Sequence, residues 1–182
     1  MSPGNHGDSP ALADMVRSYL FGDHPLFASL QMEPSKVAAD EVSIFATIPA
    51  CFSHQRDDAF AHPGAYTIIL DTVFGLAVFA KIEHPKSIAT INLKTEYLRP
   101  IEVGARVICT AECHFISRNI ARTRGEIVDY DGRPLASATG AFMIGSGGPI
   151  VSSVMQSMSW STSTSTVGSN QLPLPSLMRL PP

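Results

Sequence analysis

His62-Pro63-Gly64-Ala65-Tyr66-Thr67-Ile68-Ile69-Leu70-Asp71-Thr72-Val73-Phe74-Gly75-Leu76-Ala77-Val78-Phe79-Ala80 is the stretch on which the fold turns. From Ala65 to Ala80 the side chains are apolar almost all round a helix, and Asp71 is the only formally charged one among them. A helix of that kind has no solvent face and belongs inside a sheet. Asp71 interrupts the run, which is shorter than the roughly 20 residues a membrane-spanning helix needs, so the stretch reads as a core helix. Pro63 suits the first helical position, because its fixed φ is already helical and its missing N–H would have had no partner there. A carboxylate in such a helix costs several kcal/mol unless it is hydrogen-bonded, protonated or facing a wet pocket. Its place in mid-helix also removes the explanation of an N-cap. Asp71 is therefore the first candidate for a functional group.

Upstream, Val42, Ile44, Ala46 and Ile48 alternate with more polar residues in the run Val37 to Ile48, which predicts a strand ended by Pro49. Ala50 to Ala61 holds Ser53, His54, Gln55, Arg56, Asp57 and Asp58 without periodicity and reads as a polar loop. Downstream, four strand-like runs cover Ser87 to Leu98, Ala105 to Phe115, Ile120 to Tyr130 and Leu135 to Ile144. Turn signals separate them, the strongest being Asp131-Gly132, since Gly tolerates positive φ. Neighbours in sequence are expected to pair antiparallel as a four-stranded meander, giving an α+β domain whose sheet wraps the helix. Leu12, Met15, Val16, Tyr19 and Leu20 predict a short amphipathic helix over Ser9 to Leu20. After Gly145 the composition turns to Ser, Thr, Pro and Gly, so residues 146–182 are expected to be a disordered tail after a domain at 26–145, with an N-terminal helix and arm at 1–25.

The chain has 182 residues, enough for one core and a tail. Its 45% hydrophobic residues and mean hydropathy of +0.12 can fill an interior, while 16% charged residues is sparse for a monomer, which predicts a buried interface. A net charge of -3 with no Lys/Arg run gives no footprint for nucleic acid. Cys51, Cys109 and Cys113 are odd in number and lack metal or redox spacing, which fits a reducing, cytoplasmic compartment. Met1 to Pro10 does not read as a secretory signal. No dinucleotide, Walker, zinc-protease or serine-hydrolase motif occurs, and no metal site or cofactor is expected.

His62-Pro63-Gly64-x6-Asp71-x3-Gly75, then Thr90-x6-Tyr97-Leu98-Arg99-Pro100 and Gly104, resembles the PaaI-like acyl-CoA thioesterases of the hotdog-fold superfamily. The likeness continues through Gly125-Glu126-Ile127-Val128-x-Tyr130-Asp131-Gly132 and Leu135-Ala136-x-Ala138-Thr139-Gly140, covering roughly Leu26 to Ile144. It implies a hotdog fold, an antiparallel sheet of five to six strands around one long central helix, and a homodimer or tetramer that takes acyl-CoA or another hydrophobic small molecule, without nucleic acid or membrane.

On that resemblance Asp71 would act as general base on a water, or as nucleophile, in thioester hydrolysis, with Thr90 in the place of a hydroxyl that holds the water. His62 is a third catalytic candidate. Relatives often carry a Gly after the turn His whose N–H polarises the thioester carbonyl, but Pro63 has none, leaving the amides of Gly64 and Ala65 at the helix start. Gln55 and Arg56 occupy the loop where many relatives place Asn or Gln. Arg99, Arg118 and Arg122 are candidates for the phosphates of coenzyme A. Pro63 and Arg56 favour an alternative, non-hydrolytic acid–base chemistry such as isomerisation, dehydration or cyclisation, and a non-catalytic binding domain is a third reading.

Overall fold

The computed structural model describes residues 25–53, 59–82 and 86–145. A short helix, α1 (Pro25–Ser29), leads into β1 (Glu33–Val37) and β2 (Val42–Thr47). A single 3-10 turn at Ala50–Phe52 precedes the long helix α2 (Gly64–Lys81), which is followed by β3 (Ile88–Tyr97), β4 (Arg106–Ser117), β5 (Ile120–Asp129) and β6 (Pro134–Ile144). The expected helix at Ser9 to Leu20, the loop residues Gln55 and Arg56, and the tail at 146–182 lie outside the described residues.

All six strands form one antiparallel sheet in the order β1-β2-β4-β5-β6-β3. Alternation sends Cys109, Ala111 and Cys113 of β4, Ala121 and Ile127 of β5, and Ala136, Ala138 and Phe142 of β6 to one face, where all are buried. α2 fills that face with Ile69, Leu70, Val73, Phe74, Leu76, Ala77 and Val78. This is the sheet-wrapped helix expected for the hotdog fold. By length and composition alone α2 could cross a membrane, but its apolar surface is spent on the sheet.

Two expectations are corrected. The run from Val37 to Ile48 is not one strand: it turns after Val37 and resumes at Val42, and residues 33–37 form an edge strand on β2. Pro34 and the exposed Glu33 and Lys36 hide that strand from a hydrophobic pattern, and they suit a sheet edge, where unpaired groups must be kept from other chains. The four-stranded meander also fails, because β3 pairs with β6 and not with β4. Only β4, β5 and β6 form a meander. The segment from Leu98 to Ala105 must cross the width of three strand spacings, about 14 Å, which eight residues reach easily. It is pinned on the way by Ala61 N–H to the Ile101 carbonyl (2.9 Å), Val103 N–H to that of Ala59 (2.8 Å) and Gly104 N–H to that of Ile48 (2.7 Å).

The Asp131-Gly132 turn closes the β5–β6 hairpin as expected, with Gly132 at φ +78. Asp129 accepts the N–H groups of Asp131 (3.0 Å) and Arg133 (2.8 Å). The Arg133 N–H is the foremost of the contacts that hold the Asp129 carboxyl below its ordinary value.

Thr123, on the helix-facing side of β5, is 1% exposed, and its hydroxyl has no hydrogen-bond partner among the described residues. An unmet buried hydroxyl carries its full desolvation cost. Thr123→Val keeps the branched shape and removes the unmet group. It is expected to stabilise the domain by about 1 kcal/mol, measured as a raised melting temperature; a fall would mean that the hydroxyl is satisfied in solution.

Candidate active site

The site lies where α2 meets β3. In the first half of α2 the residues that are not fully covered, Gly64, Thr67, Ile68, Asp71 and Thr72, fall three and four residues apart and so share one face. Asp71 is half-buried there and, of the three ways such a helix tolerates a carboxylate, it has the hydrogen bond. Its Oδ1 accepts a hydrogen bond from the Thr90 hydroxyl on β3 at 2.8 Å. One turn earlier, Thr67 Oγ1 and Tyr97 Oη lie 3.0 Å apart. Two side chains of α2 thus each meet a hydroxyl of the same strand.

A regular strand would not allow this, since residues seven apart, such as Thr90 and Tyr97, point to opposite faces. The pairing with β6 resolves it: Thr90 is opposite Phe142 and Asn92 is opposite Ala141, so Ile91 is an extra residue, half-exposed, in a bulge. The bulge turns Thr90 to the side of Leu93, Thr95 and Tyr97, toward the helix.

At the helix start, His62 Nδ1 accepts the Gly64 N–H (3.0 Å) and the His62 carbonyl accepts the Ala65 N–H (3.0 Å). Both candidate carbonyl-polarising amides therefore have acceptors within the turn, and the imidazole caps it. Seven residues of helix, about 10 Å, separate Gly64 from Asp71, so the His62 imidazole sits with the turn and not with the carboxylate. Beyond the turn, the Tyr66 hydroxyl donates to the Arg99 carbonyl at 2.6 Å, and burial pushes that hydroxyl's pKa up to about 12. The Tyr66 and Tyr97 rings stand 5.8 Å apart at 58°, making an aromatic wall beside Thr67.

The three arginines do not converge. Arg99 follows β3 at one end of the sheet and donates to the Pro134 carbonyl. Arg118, at φ +52, sits in the β4–β5 turn at the other end, roughly 30 Å away for a strand of ten residues. Arg122 projects from β5 on the face turned away from α2, the same face as Arg124. Cys109 and Cys113 are buried, and burial raises both thiols, so neither is an activated nucleophile. No group of three metal-binding side chains occurs among the described residues.

Sequence reasoning paired Asp71 with Thr90 but missed Thr67 and Tyr97 as site-lining residues. The i, i+4 spacing of Thr67 and Asp71 was the available signal for the first; the bulge concealed the second.

Residues 59–136 match the family model described as the thioesterase superfamily. No curated protein matches the chain. Among solved structures, a hypothetical thioesterase protein from Streptococcus pneumoniae, solved with coenzyme A, is 19% identical, with 65% of this chain and 90% of that one covered and a TM-score of 0.58. A thioesterase family protein from Silicibacter pomeroyi is 24% identical over 73% of this chain and 97% of its own, with a TM-score of 0.64. The PaaI protein of E. coli, from the phenylacetic acid degradation operon, is 16% identical over 76% and 96%, with a TM-score of 0.66. At these identities the likeness to solved structures shows the fold, and the family model adds a similarity over residues 59–136. The six-stranded antiparallel sheet around one long helix is the hotdog fold, and within it residues 59–136 are similar to the thioesterase superfamily.

Proposed function

We propose that the domain hydrolyses an acyl-CoA or carrier-bound acyl thioester, with Asp71 as the general base. The observation that carries this reading is the 2.8 Å hydrogen bond from Thr90 to Asp71 Oδ1, which orients the carboxylate at an open helix face and leaves Oδ2 to accept a proton from water. The water oxygen attacks the thioester carbonyl as its proton passes to Asp71; the tetrahedral oxyanion then collapses, the C–S bond breaks, and the thiolate leaves and is protonated. The coenzyme A in the Streptococcus pneumoniae structure supports the substrate class. That same protein has also been solved with one aspartate and, separately, one threonine replaced by alanine, the two residue types that meet here. Attack by Asp71 itself on the carbonyl is the less favoured variant.

The long exposed edge of β3, paired only on its β6 side, suits a homodimer built by joining two such edges beside the Asp71 face. A cytoplasmic setting fits the three free cysteines. The helix start favours the second reading, acid–base chemistry without hydrolysis on a hydrophobic small molecule, because Pro63 has no N–H and the Gly64 and Ala65 amides already have acceptors.

A panel of aromatic, short-chain and long-chain acyl-CoA substrates, with released thiol as the readout, separates the two. Turnover of at least one class is expected. Thr90→Val should lower that turnover about 10- to 100-fold, the loss expected from removing one hydrogen bond to a charged group, about 1.5–3 kcal/mol. Silence across the panel would replace hydrolysis with the second reading.

A further inference from the structure

A thioester carbonyl attacked by water becomes an oxyanion, and a donor aimed at that oxygen is usually the largest single contribution to the rate. The donors along the open face of α2 are almost all committed. Pro63 has no N–H, and the next three amides are taken within the turn: Gly64 by His62 Nδ1 (3.0 Å), Ala65 by the His62 carbonyl (3.0 Å) and Tyr66 by the Pro63 carbonyl (3.1 Å). The Thr72 hydroxyl donates back to the Ile68 carbonyl (2.8 Å), that of Thr90 to Asp71 (2.8 Å) and that of Tyr66 to the Arg99 carbonyl (2.6 Å). The Thr67–Tyr97 pair differs. Its two hydroxyls, 3.0 Å apart, carry two protons and share one hydrogen bond, so one O–H remains to be donated.

The geometry points to Tyr97 as the oxyanion donor of this site, oriented by Thr67; the inference rests on the hydrolytic reading above. With Thr67 donating to Tyr97 Oη, the phenolic proton is the free one. A phenol is a stronger donor than an aliphatic alcohol, and stronger still when its own oxygen accepts a bond. Tyr97 is 52% exposed, so a substrate can reach that hydroxyl. Thr67 stands one helical turn from Asp71 on the same face, about 5–6 Å between Cβ atoms. From a carboxylate oxygen, through the attacking water and the tetrahedral carbon, to a donor on the oxyanion is about 5–8 Å, two hydrogen bonds and two C–O bonds end to end. The hydroxyl pair thus stands at the right remove from Asp71 to hold the carbonyl oxygen while the water loses its proton. The Tyr66 ring, 5.8 Å away at 58° and fixed by its own hydroxyl, walls the Tyr97 ring on one side. Tyr97 gives up no proton in the step. As water adds and Asp71 takes its proton, the C=O electron pair moves onto oxygen, where the phenolic O–H meets it; the carbonyl re-forms as the C–S bond breaks, and the departing thiolate takes the proton from Asp71.

The test measures kcat and KM for the acyl-CoA that the full-length protein turns over fastest, together with affinity for two probes that are not hydrolysed. One is an S-alkyl thioether of coenzyme A, which has no carbonyl at the reacting position; the other is a trifluoromethyl-ketone thioether of coenzyme A, whose hydrated carbonyl is tetrahedral. Tyr97→Phe keeps the ring and removes the donor. It is expected to lower kcat by about 10²-fold with KM within about two-fold, and to weaken the ketone by a similar factor while the S-alkyl probe binds as before. Thr67→Val should lower kcat by about 3- to 10-fold and Thr67→Ser should keep the wild-type rate, while Thr67→Val should add nothing once Tyr97→Phe is in place, because Thr67 acts through Tyr97. Melting curves show which variants fold, and the two Thr67 variants decide on the same probes if Tyr97→Phe does not. With wild type active, an undiminished kcat and ketone affinity in Tyr97→Phe would overturn the inference alone, as would an equal loss of both probes, which marks a structural role. Wild type silent on every acyl-CoA ends the hydrolytic reading and the inference with it.

Discussion

Asp71→Asn is expected to lower thioester turnover by about 10²–10⁴-fold, the contribution of a positioned general base, while leaving the melting temperature within a degree or so of wild type. The amide oxygen can still accept the Thr90 hydroxyl that Asp71 Oδ1 accepts at 2.8 Å, so the geometry survives. What is lost is a group able to take a proton from water, or to attack a carbonyl. Asp71 is half-buried on α2, so the exchange neither opens a cavity nor strands a buried charge. Initial rates of thiol release, measured with the substrate class that wild type turns over fastest, give the answer. Undiminished activity in the Asn protein would end the assignment of Asp71, whatever the fold.

Gly125→Ala is the counterpart on stability. A Cβ at that position would lie 2.2 Å from the Thr110 carbonyl oxygen, 2.7 Å from Phe74 Cε1 and 3.0 Å from the Ala111 Cα. Two of these are backbone atoms of the neighbouring strand, and the third belongs to a ring that is 0% exposed, so no flexible end can give way. Gly140 is similarly close, with a Cβ there 3.0 Å from Phe74 Cδ2. The two glycines are the seat on which Phe74 lets α2 approach the sheet. Overpacking of this kind, forced onto the backbone, is expected to cost about 3 kcal/mol or more, a fall in melting temperature of roughly 10 °C for a domain of this size. Phe74 is one helical turn beyond Asp71, so any fraction that folds should also show reduced turnover. A Gly125→Ala protein that melts like wild type would mean that the strands part more readily than this packing implies.

The helix was legible because an apolar run with one charge admits little besides a buried core helix, and it extends from Gly64 to Lys81 against an expected Ala65 to Ala80. Four strands were legible from the turns between them, where Gly132 supplies the positive φ its position demands. The partner of β3 was not, because strand order depends on which edges meet after collapse and leaves no mark on a window of ten residues. β1 was hidden for the opposite reason: Pro34 and the charges that protect an edge look like loop. At the site, Asp71 announced itself by cost, since a carboxylate among apolar neighbours needs a reason. Thr67 and Tyr97 did not, because hydroxyls on a helix face or at a strand end cost little and are common.

The extra residue at Ile91 acts as a half-period dislocation in an otherwise regular alternation. On its Tyr97 side the residues turned toward α2 carry odd numbers, and on its Ile88 side they carry even ones. Reading alternation back from Tyr97 therefore assigns Thr90 to the wrong face. Losing Ile91 would restore a regular ladder with β6 in which Thr90 still opposes Phe142 and Tyr97 still opposes Ala136, so both hydroxyls would keep to the α2 side. The partners on β6 thus keep the two ends of the strand in phase, and the extra residue is absorbed between them without moving either hydroxyl off the α2 side.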